Sequence, residues 1–228
     1  MIPRIDIVTA TEMEASALRQ AAESLGSGAD DSYCGSINVV VTGIGMVSSA
    51  RSLMKHFAMN GIPALAINAG IGGTYAEQPG VGDVVVVERD CFADLGIDDN
   101  GRFIKAAEAR FINAGTEPFD DEGWIWCRNR YIEKVRGRLP FCSGITSDTV
   151  SGSEERIGRL RGLYGPDIES MEGASFFYIC SLEKVPFIAL RSISNRVEVR
   201  DRRNWHIERA LKNLGERTEE IIRLLSVK

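Results

Sequence analysis

The chain has 228 residues, of which 44% are hydrophobic and 26% are charged, as in an ordinary globular protein. An α/β chain of this length usually forms one domain, so a single domain over residues 1–228 is expected. The formal net charge of −5 argues against a nucleic-acid partner, which needs a basic surface. No apolar run approaches the roughly 18 residues of a membrane span, so no membrane partner is expected.

Cysteine and histidine usage limits the expected compartment and metal chemistry. The five cysteines, at positions 34, 91, 127, 142 and 180, are odd in number and widely spaced, and only two histidines are present. This pattern is typical of free thiols in a reducing cytoplasm, not of a disulfide framework or a metal site. The first residues lead directly into a strand pattern without the apolar core of a signal peptide. We expect a cytoplasmic protein with no metal and no cofactor.

Short apolar runs alternate with amphipathic segments along the chain. Strands are predicted at residues 5–8, 37–41, 64–67, 84–87, 141–145 and 185–190, and helices at 12–25, from 46, from 154, at 171–182 and from about 205. Residues 88–140 are the least patterned and are interpreted as loop with one or two helices. Strands alternating with helices predict an α/β fold, a three-layer α/β/α domain around a central, mixed but mostly parallel sheet.

Gly-rich turns follow two of the predicted strands, at residues 43–45 and 70–73. A Rossmann dinucleotide site is a weak interpretation, because the first turn lacks the third glycine and no ribose-binding acid ends the following strand. Close approach of the backbone to a ligand, or a simple tight turn, explains these glycines equally well.

Two polar segments frame the predicted strand at 185–190. The first, Ser-Met-Glu-Gly-Ala at 170–174, places Glu172 in the first turn of a helix, where exposed N–H groups and the helix dipole favour a carboxylate. The second, Arg-Ser-Ile-Ser-Asn at 191–195, follows the strand, and the carboxyl ends of strands in open α/β sheets are where ligands bind. The alternative for Glu172 is a purely structural role as an N-terminal helix residue.

These two segments resemble the purine nucleoside phosphorylase and nucleosidase superfamily, and within it the futalosine hydrolase and methylthioadenosine/S-adenosylhomocysteine nucleosidase branches. The resemblance runs from about residue 5 to residue 214. It implies a sheet of the nucleoside phosphorylase type, a small-molecule nucleoside as substrate, and a homodimer or higher homo-oligomer.

The resemblance also implies roles for individual residues. Glu14, in Ala-Thr-Glu-Met-Glu at 10–14, matches the catalytic base that activates water, and Glu12 is expected to be a solvated acid at the helix start. Glu172 matches the glutamate that accepts hydrogen bonds from ribose hydroxyls. Met171 would lie against the sugar face, although core packing is an equally good interpretation.

Four further positions are expected at the substrate. Gly70 and Ile71 would pass under the ribose, where a larger side chain at Gly70 would collide with the sugar. The segment around Val150 matches the backbone that bonds the base edge. Phe92, in a segment that resembles futalosine hydrolase, is a candidate for stacking on the ligand, with core packing as the alternative.

Asn195 stands where adenosine-type nucleosidases have an aspartate that protonates N7 of the leaving base. An amide cannot act as that acid, but it can donate to O6 and accept from a protonated N7 of a 6-oxopurine. Asn195 therefore favours an inosine-like nucleoside and a hypoxanthine leaving group. A strand-end asparagine that caps a turn is the alternative.

The nucleophile is predicted from Asn68, which stands where phosphorolytic relatives have a phosphate-binding arginine. A phosphate dianion buried without a cation is costly, so water is the expected nucleophile. The basic residues between 196 and 203 could pair with a carboxylate on the 5′ substituent, as in futalosine, or form a solvated loop.

The leading hypothesis is thus a futalosine hydrolase of menaquinone biosynthesis. The alternatives are a methylthioadenosine/S-adenosylhomocysteine nucleosidase, a phosphorylase, a non-catalytic nucleoside-binding module and, distantly, a Rossmann-type dehydrogenase.

Overall fold

A computed structural model describes residues 2–27 and 35–226, so Cys34 lies outside the described residues. The helices are α1 (Glu12–Ser27), α2 (Met46–Asn60), α3 (Arg130–Val135), α4 (Glu154–Tyr164), α5 (Gly173–Leu182) and α6 (Ile207–Ser226). The strands are β1 (Arg4–Thr9), β2 (Ser36–Val41), β3 (Leu65–Thr74), β4 (Val84–Asp90), β5 (Gly96–Asp99), β6 (Arg102–Lys105), β7 (Ile125–Trp126), β8 (Phe141–Thr146), β9 (Ile168–Ser170) and β10 (Phe187–Arg196).

One mixed sheet organises these elements. Its strand order is β10-β4-β8-β9-β3-β1-β2, β7 pairs with β4, and β10 also pairs with β3, so that five strands close into a ring with β1 and β2 extending from it. The pairs β1–β2, β1–β3, β3–β10, β4–β8 and β8–β9 are parallel, and β4–β10, β3–β9 and β4–β7 are antiparallel. The predicted α/β class with a mixed, mostly parallel sheet is confirmed.

Helices cover the sheet in two groups. The first contains α6 with α1 and α3, each of which contacts α6, and the second contains α2 and α5. Strands covered on both faces bury successive side chains, and β1 and β4 do so with Ile5, Ile7 and Val8 and with the run 84–87. The core therefore lies on both faces of the sheet and leaves the strand ends free for polar residues.

Two strands are longer than the sequence predicts. The predicted Gly-rich turn at 70–73 lies within β3, and the polar segment 191–195 lies within β10. The two strands stay paired in parallel from Ala66 and Phe187 to Thr74 and Arg196, with one irregularity near Ile193. Backbone pairing with neighbouring strands thus outweighs the low strand propensity of glycine.

The stretch from 88 to 140 is predicted as loop with one or two helices; its helix α3 agrees with this, whereas its strands were not predicted. It contains the β5–β6 hairpin, the short strand β7 and only one short helix, α3. Asn100 and Gly101 connect the hairpin strands with φ angles of 51° and 86°. An Asn-Gly pair with two positive φ values is the favoured two-residue hairpin turn, and it was the sequence signal for this element.

Candidate active site

A cavity of about 270 Å³ opens where β1, β3, β9 and β10 end. It is lined by parts of the predicted loop after β1, by β3 and β10 near their carboxyl ends, and by the segments around 150 and 170. Six predicted site residues line it, namely Glu14, Ile71, Val150, Met171, Glu172 and Asn195. The fold thus brings together side chains that are up to 181 positions apart in sequence, 195 minus 14.

Glu14 is buried, and four donors hold its carboxylate in one orientation. Thr11 begins α1 as part of a reciprocal cap: its hydroxyl accepts from the Glu14 N–H at 3.3 Å, and its own N–H donates to Glu14 Oε2 at 3.0 Å. The hydroxyls of Thr9 and Thr11 also donate to Oε2, at 3.1 and 2.8 Å. Oε1 accepts from the Ile71 N–H at 3.0 Å. Oε1 thus has one described donor where Oε2 has three, and it keeps capacity for a further donor.

Glu12, the alternative to Glu14, lies elsewhere. Its carboxylate pairs with Arg19 at 2.8 Å, and the two side chains are 71% and 47% exposed. It is the solvated acid that the sequence predicts. Glu12 does not line the cavity.

Glu172 is partly buried at the N-cap position of α5, one residue before the first turn where it was predicted. Its Oε1 accepts from the Gly45 N–H at 2.9 Å, so the first Gly-rich turn touches this carboxylate. Burial raises the pKa of Glu172, and the nearby Glu14 carboxylate adds to the rise, whereas the Gly45 N–H and the Arg191 guanidinium lower it. The two acids therefore interact across the cavity.

Asn195 is partly buried, with both ends of its amide placed by neighbours. Its Oδ1 accepts from the Ser194 hydroxyl at 2.7 Å, and its Nδ2 donates to the Arg196 carbonyl at 2.8 Å. One N–H and one lone pair of the amide remain for a ligand.

Gly70 lies beneath the cavity and does not itself line it. A Cβ at this position would stand 3.0 Å from Glu14 Oε1, so a side chain here would displace the carboxylate. The neighbouring Gly72 and Gly73 do line the cavity, and Gly73 pairs with Glu169 on one side and with Asn195 on the other.

The structure places Phe92 away from the cavity. Its ring contacts the rings of Phe119 and Tyr178, with centroid separations of 6.4 and 5.9 Å. It packs against the main core, which is the alternative that the sequence left open. An aromatic residue that follows a strand can face either the core or the ligand. Phe92 faces the core because it packs against the rings of Phe119 and Tyr178.

Three buried charged residues near the site were not predicted. Asp90 accepts from the Cys91 N–H at 2.8 Å and from the Thr146 hydroxyl at 3.0 Å, and the Thr146 hydroxyl accepts in turn from the Ala174 N–H of α5 at 2.7 Å. Burial raises the pKa of Asp90 to about 7, while the Arg191 guanidinium and the Thr146 hydroxyl lower it. This network supports the end of α5 that carries Glu172.

Arg191 and Glu169 complete that set. The Arg191 guanidinium is buried and donates to the Asn68 side chain and carbonyl and to the Leu190 carbonyl. Glu169 is buried beside the cavity and accepts from Tyr75 and Ser151. Arg191 opens the Arg-Ser-Ile-Ser-Asn segment but was assigned no role, and Glu169 carries no motif signal, because the partners of both side chains come from distant parts of the chain.

The charge of the cavity is one-sided. Of the described residues that line it, Glu14, Glu169 and Glu172 are acids, and none is lysine or arginine. No group of three or more potential metal-binding side chains occurs within residues 2–27 and 35–226. Over the same ranges, every helix is too short or too polar to cross a membrane.

A cavity lined by three carboxylates and by no lysine or arginine suits a ligand that develops positive charge.

Comparison with known proteins places the chain in a family. A family model described as the phosphorylase superfamily matches residues 31–226. The chain belongs to the phosphorylase superfamily. One superfamily relative, the futalosine hydrolase of Thermus thermophilus, is 31% identical over 187 residues, which cover 79% of each chain.

Solved structures of the superfamily share this fold. The Helicobacter pylori methylthioadenosine/S-adenosylhomocysteine nucleosidase matches with a TM-score of 0.78 and 18% identity, over 97% of this chain and 98% of that one. The futalosine hydrolase of the same organism matches with a TM-score of 0.77 and 18% identity, over the same shares.

Within the superfamily the named relatives are nucleosidases and hydrolases, and the prediction of an N-glycosyl hydrolase is confirmed. The roles of individual residues, the homo-oligomer and the cytoplasmic location stay predictions.

Proposed function

We propose that the protein is a futalosine hydrolase, which cleaves the N-glycosidic bond of futalosine to release hypoxanthine and dehypoxanthinyl futalosine. The observation that carries this proposal is the shared cavity, in which Glu14, Glu172 and Asn195 meet. Relatives named futalosine hydrolase, 31% to 32% identical over 78% to 91% of the chain, support the same substrate.

The two acids divide the work on the sugar. Cleavage passes through an oxocarbenium-like ribose, which a negatively charged cavity stabilises. Glu172 accepts hydrogen bonds from ribose hydroxyls with the oxygen that Gly45 leaves free. Glu14 takes a proton from water through Oε1, the oxygen with only the Ile71 N–H among its described donors.

Water rather than phosphate is the nucleophile in this proposal. The uncharged Asn68 is buried, donates to the Val8 carbonyl and accepts from Arg191. Among the described residues, Arg191 carries the buried guanidinium near the site, and its hydrogen bonds go to Asn68 and to carbonyl groups. A phosphate dianion among three carboxylates, with no cation lining the described cavity, would lack the partner that burial requires.

Asn195 binds the departing base, donating to O6 and accepting from a protonated N7. The apolar side chains of Met13, Ile44 and Trp205 also line the cavity, and we assign the 5′ substituent to them. The Arg200 guanidinium lies 5.5 Å from the centre of the Trp205 ring and is the cation we assign to the substrate carboxylate.

Incubation with futalosine, inosine and methylthioadenosine, each with and without phosphate, tests the proposal. The expected result is hypoxanthine release from futalosine that does not depend on phosphate and exceeds adenine release from methylthioadenosine. Preferential adenine release would establish the methylthioadenosine/S-adenosylhomocysteine nucleosidase alternative. Strict dependence on phosphate would establish a phosphorylase, and no base release from any substrate would favour a non-catalytic binding module.

A further inference from the structure

Glu169 is a buried carboxylate in the cavity wall for which the proposed reaction has no role so far. It lies on β9 and is 7% exposed. The Tyr75 hydroxyl donates to Oε2 at 2.8 Å, the Ser151 hydroxyl donates to the same oxygen at 2.5 Å, and the Ser151 N–H donates to Oε1 at 2.8 Å. Burial raises the pKa of Tyr75 far above its usual range, and Glu169 adds to the rise, so Tyr75 stays a donor. These donors fix the carboxylate in one orientation.

The sheet register places Glu169 opposite Asn195, with Gly73 between them. Gly73 on β3 pairs with Glu169 on one side and with Asn195 on the other. Neighbouring strands are about 4.8 Å apart, so the backbones of the two polar residues are separated by roughly 10 Å. A Cβ at Gly73 would lie 2.9 Å from Val197 Cγ2 and 3.2 Å from Asn195 Nδ2, so the glycine leaves room for these two side chains, which both line the cavity. Both polar side chains line the cavity.

A purine ring held between the Glu169 and Asn195 side chains presents different edges to the two sides. When O6 and N7 face Asn195, the six-membered ring with N1 points toward β9. In a 6-oxopurine N1 carries a hydrogen and donates, whereas in a 6-aminopurine N1 carries a lone pair and accepts. An ionised carboxylate only accepts, so it pairs with the first and repels the second. Among the described residues only the Ser151 N–H donates to Glu169 Oε1, so one lone pair of this oxygen is available.

We infer that Glu169 is a specificity-determining residue that accepts the N1–H of a 6-oxopurine, opposite the Asn195 amide that holds O6 and N7. This inference rests on the proposed purine nucleoside hydrolysis at the same cavity. It assigns base selection to two side chains on β9 and β10, the strands that flank β3. The preference for hypoxanthine over adenine then depends on the Glu169 carboxylate as well as on the Asn195 amide.

The test is Glu169→Gln, which keeps the size of the side chain but offers an N–H in place of one oxygen. The readouts are the ratio of kcat/KM for futalosine to that for methylthioadenosine, and the affinities for free hypoxanthine and free adenine by calorimetry. The expected result is a fall of roughly 10- to 100-fold in the ratio, the effect of one hydrogen bond to a charged group. Hypoxanthine affinity should fall with it, and adenine affinity should stay level or rise.

Two further variants separate selection from structure. Tyr75→Phe removes one donor to Glu169 but leaves the carboxylate in place, so the substrate ratio should stay close to that of the wild type. Glu155→Gln changes an exposed acid in the first turn of α4 and should change neither readout. An equal loss on both substrates in Glu169→Gln would make Glu169 merely structural, and an unchanged ratio would assign N1 to another acceptor. Either result overturns the inference.

A measurement on the wild type covers the case in which the variant does not fold. 1-Methylhypoxanthine lacks the N1–H and should bind more weakly than hypoxanthine, and equal affinities would overturn the inference. Failure of the proposed function looks different. In that case the wild type releases no hypoxanthine from futalosine, whatever its preference between the free bases.

Discussion

Replacing Glu14 by glutamine tests the proposed base, because the amide keeps the size of the side chain but cannot take a proton from water. Three of the four hydrogen bonds to Glu14 converge on Oε2. The amide oxygen should therefore occupy that position and leave the NH₂ group against the Ile71 N–H. One unsatisfied donor costs about 1–3 kcal/mol of the free energy of unfolding.

The loss in catalysis should exceed this loss in stability. A positioned general base contributes roughly 100- to 10,000-fold, which corresponds to about 3–5 kcal/mol of transition-state stabilisation. We expect kcat for hypoxanthine release to fall by that factor in Glu14→Gln, while the affinity for free hypoxanthine, measured by calorimetry, stays near the wild-type value.

Glu12→Gln is the matched control for this experiment. Glu12 starts the same helix two residues earlier, and its exposed ion pair with Arg19 is worth only about 0–1 kcal/mol. The activity and the thermal midpoint of Glu12→Gln should equal those of the wild type. If Glu14→Gln kept near-normal turnover, or if Glu12→Gln lost as much, the assignment of the base to Glu14 would be wrong.

Four other changes test separate parts of the site. Asn195→Asp should raise the turnover of adenine nucleosides relative to futalosine, since an acid can protonate N7 of adenine; unchanged selectivity in a competition assay would contradict this. Gly70→Ala should lower kcat while the protein stays folded, because the new Cβ would meet Glu14 Oε1 at 3.0 Å and displace the carboxylate. A normal kcat in a folded variant would show that Glu14 can shift without loss of activity. Asp90 has a pKa raised to about 7 from 3.8, so folding takes up a proton between these values and the free energy of unfolding should fall as pH rises from 4 to 7. In Asp90→Asn the free energy of unfolding, measured by urea titration, should depend less on pH over this range. A pH profile identical to that of the wild type would contradict the role of Asp90. Arg200→Gln should raise KM for futalosine but not for inosine. Equal effects on the two KM values would show that Arg200 does not bind the carboxylate of the 5′ substituent.

The sequence predicts those parts of the fold that depend on local pattern. The Glu14 segment is an example, since Thr11 and Glu14 form a reciprocal cap that fixes where α1 begins, and the strand before it is short and apolar. Glu172 is a second example, placed within one residue of its predicted position in the helix. Both acids follow from helix starts next to buried strands, which are local features.

The parts that the sequence does not predict depend on partners distant in the chain. β3 runs through a glycine-rich stretch because β9 and β10 pair with it there, and no local rule favours a strand of glycines. From the local sequence, Glu169 is a polar residue in a strand of three residues, and nothing there predicts that it is buried. Its burial and its contacts with Tyr75 and Ser151 exist only after β9 has paired with β3. Phe92 gives the converse case, because its aromatic neighbours come from residues 119 and 178.

The electrostatic arrangement links the fold to the choice of nucleophile. Arg191 is close enough to lower the pKa values of Asp90 and Glu172, yet its guanidinium donates to Asn68 and to backbone carbonyls instead of lining the cavity. The positive charge thus offsets part of the cost of gathering acids without offering a binding site to an anion. The polar side chains that line the described cavity include three carboxylates and one amide, and none is lysine or arginine. Such a surface repels phosphate, admits neutral water, and attracts a ribose ring in proportion to the positive charge it acquires.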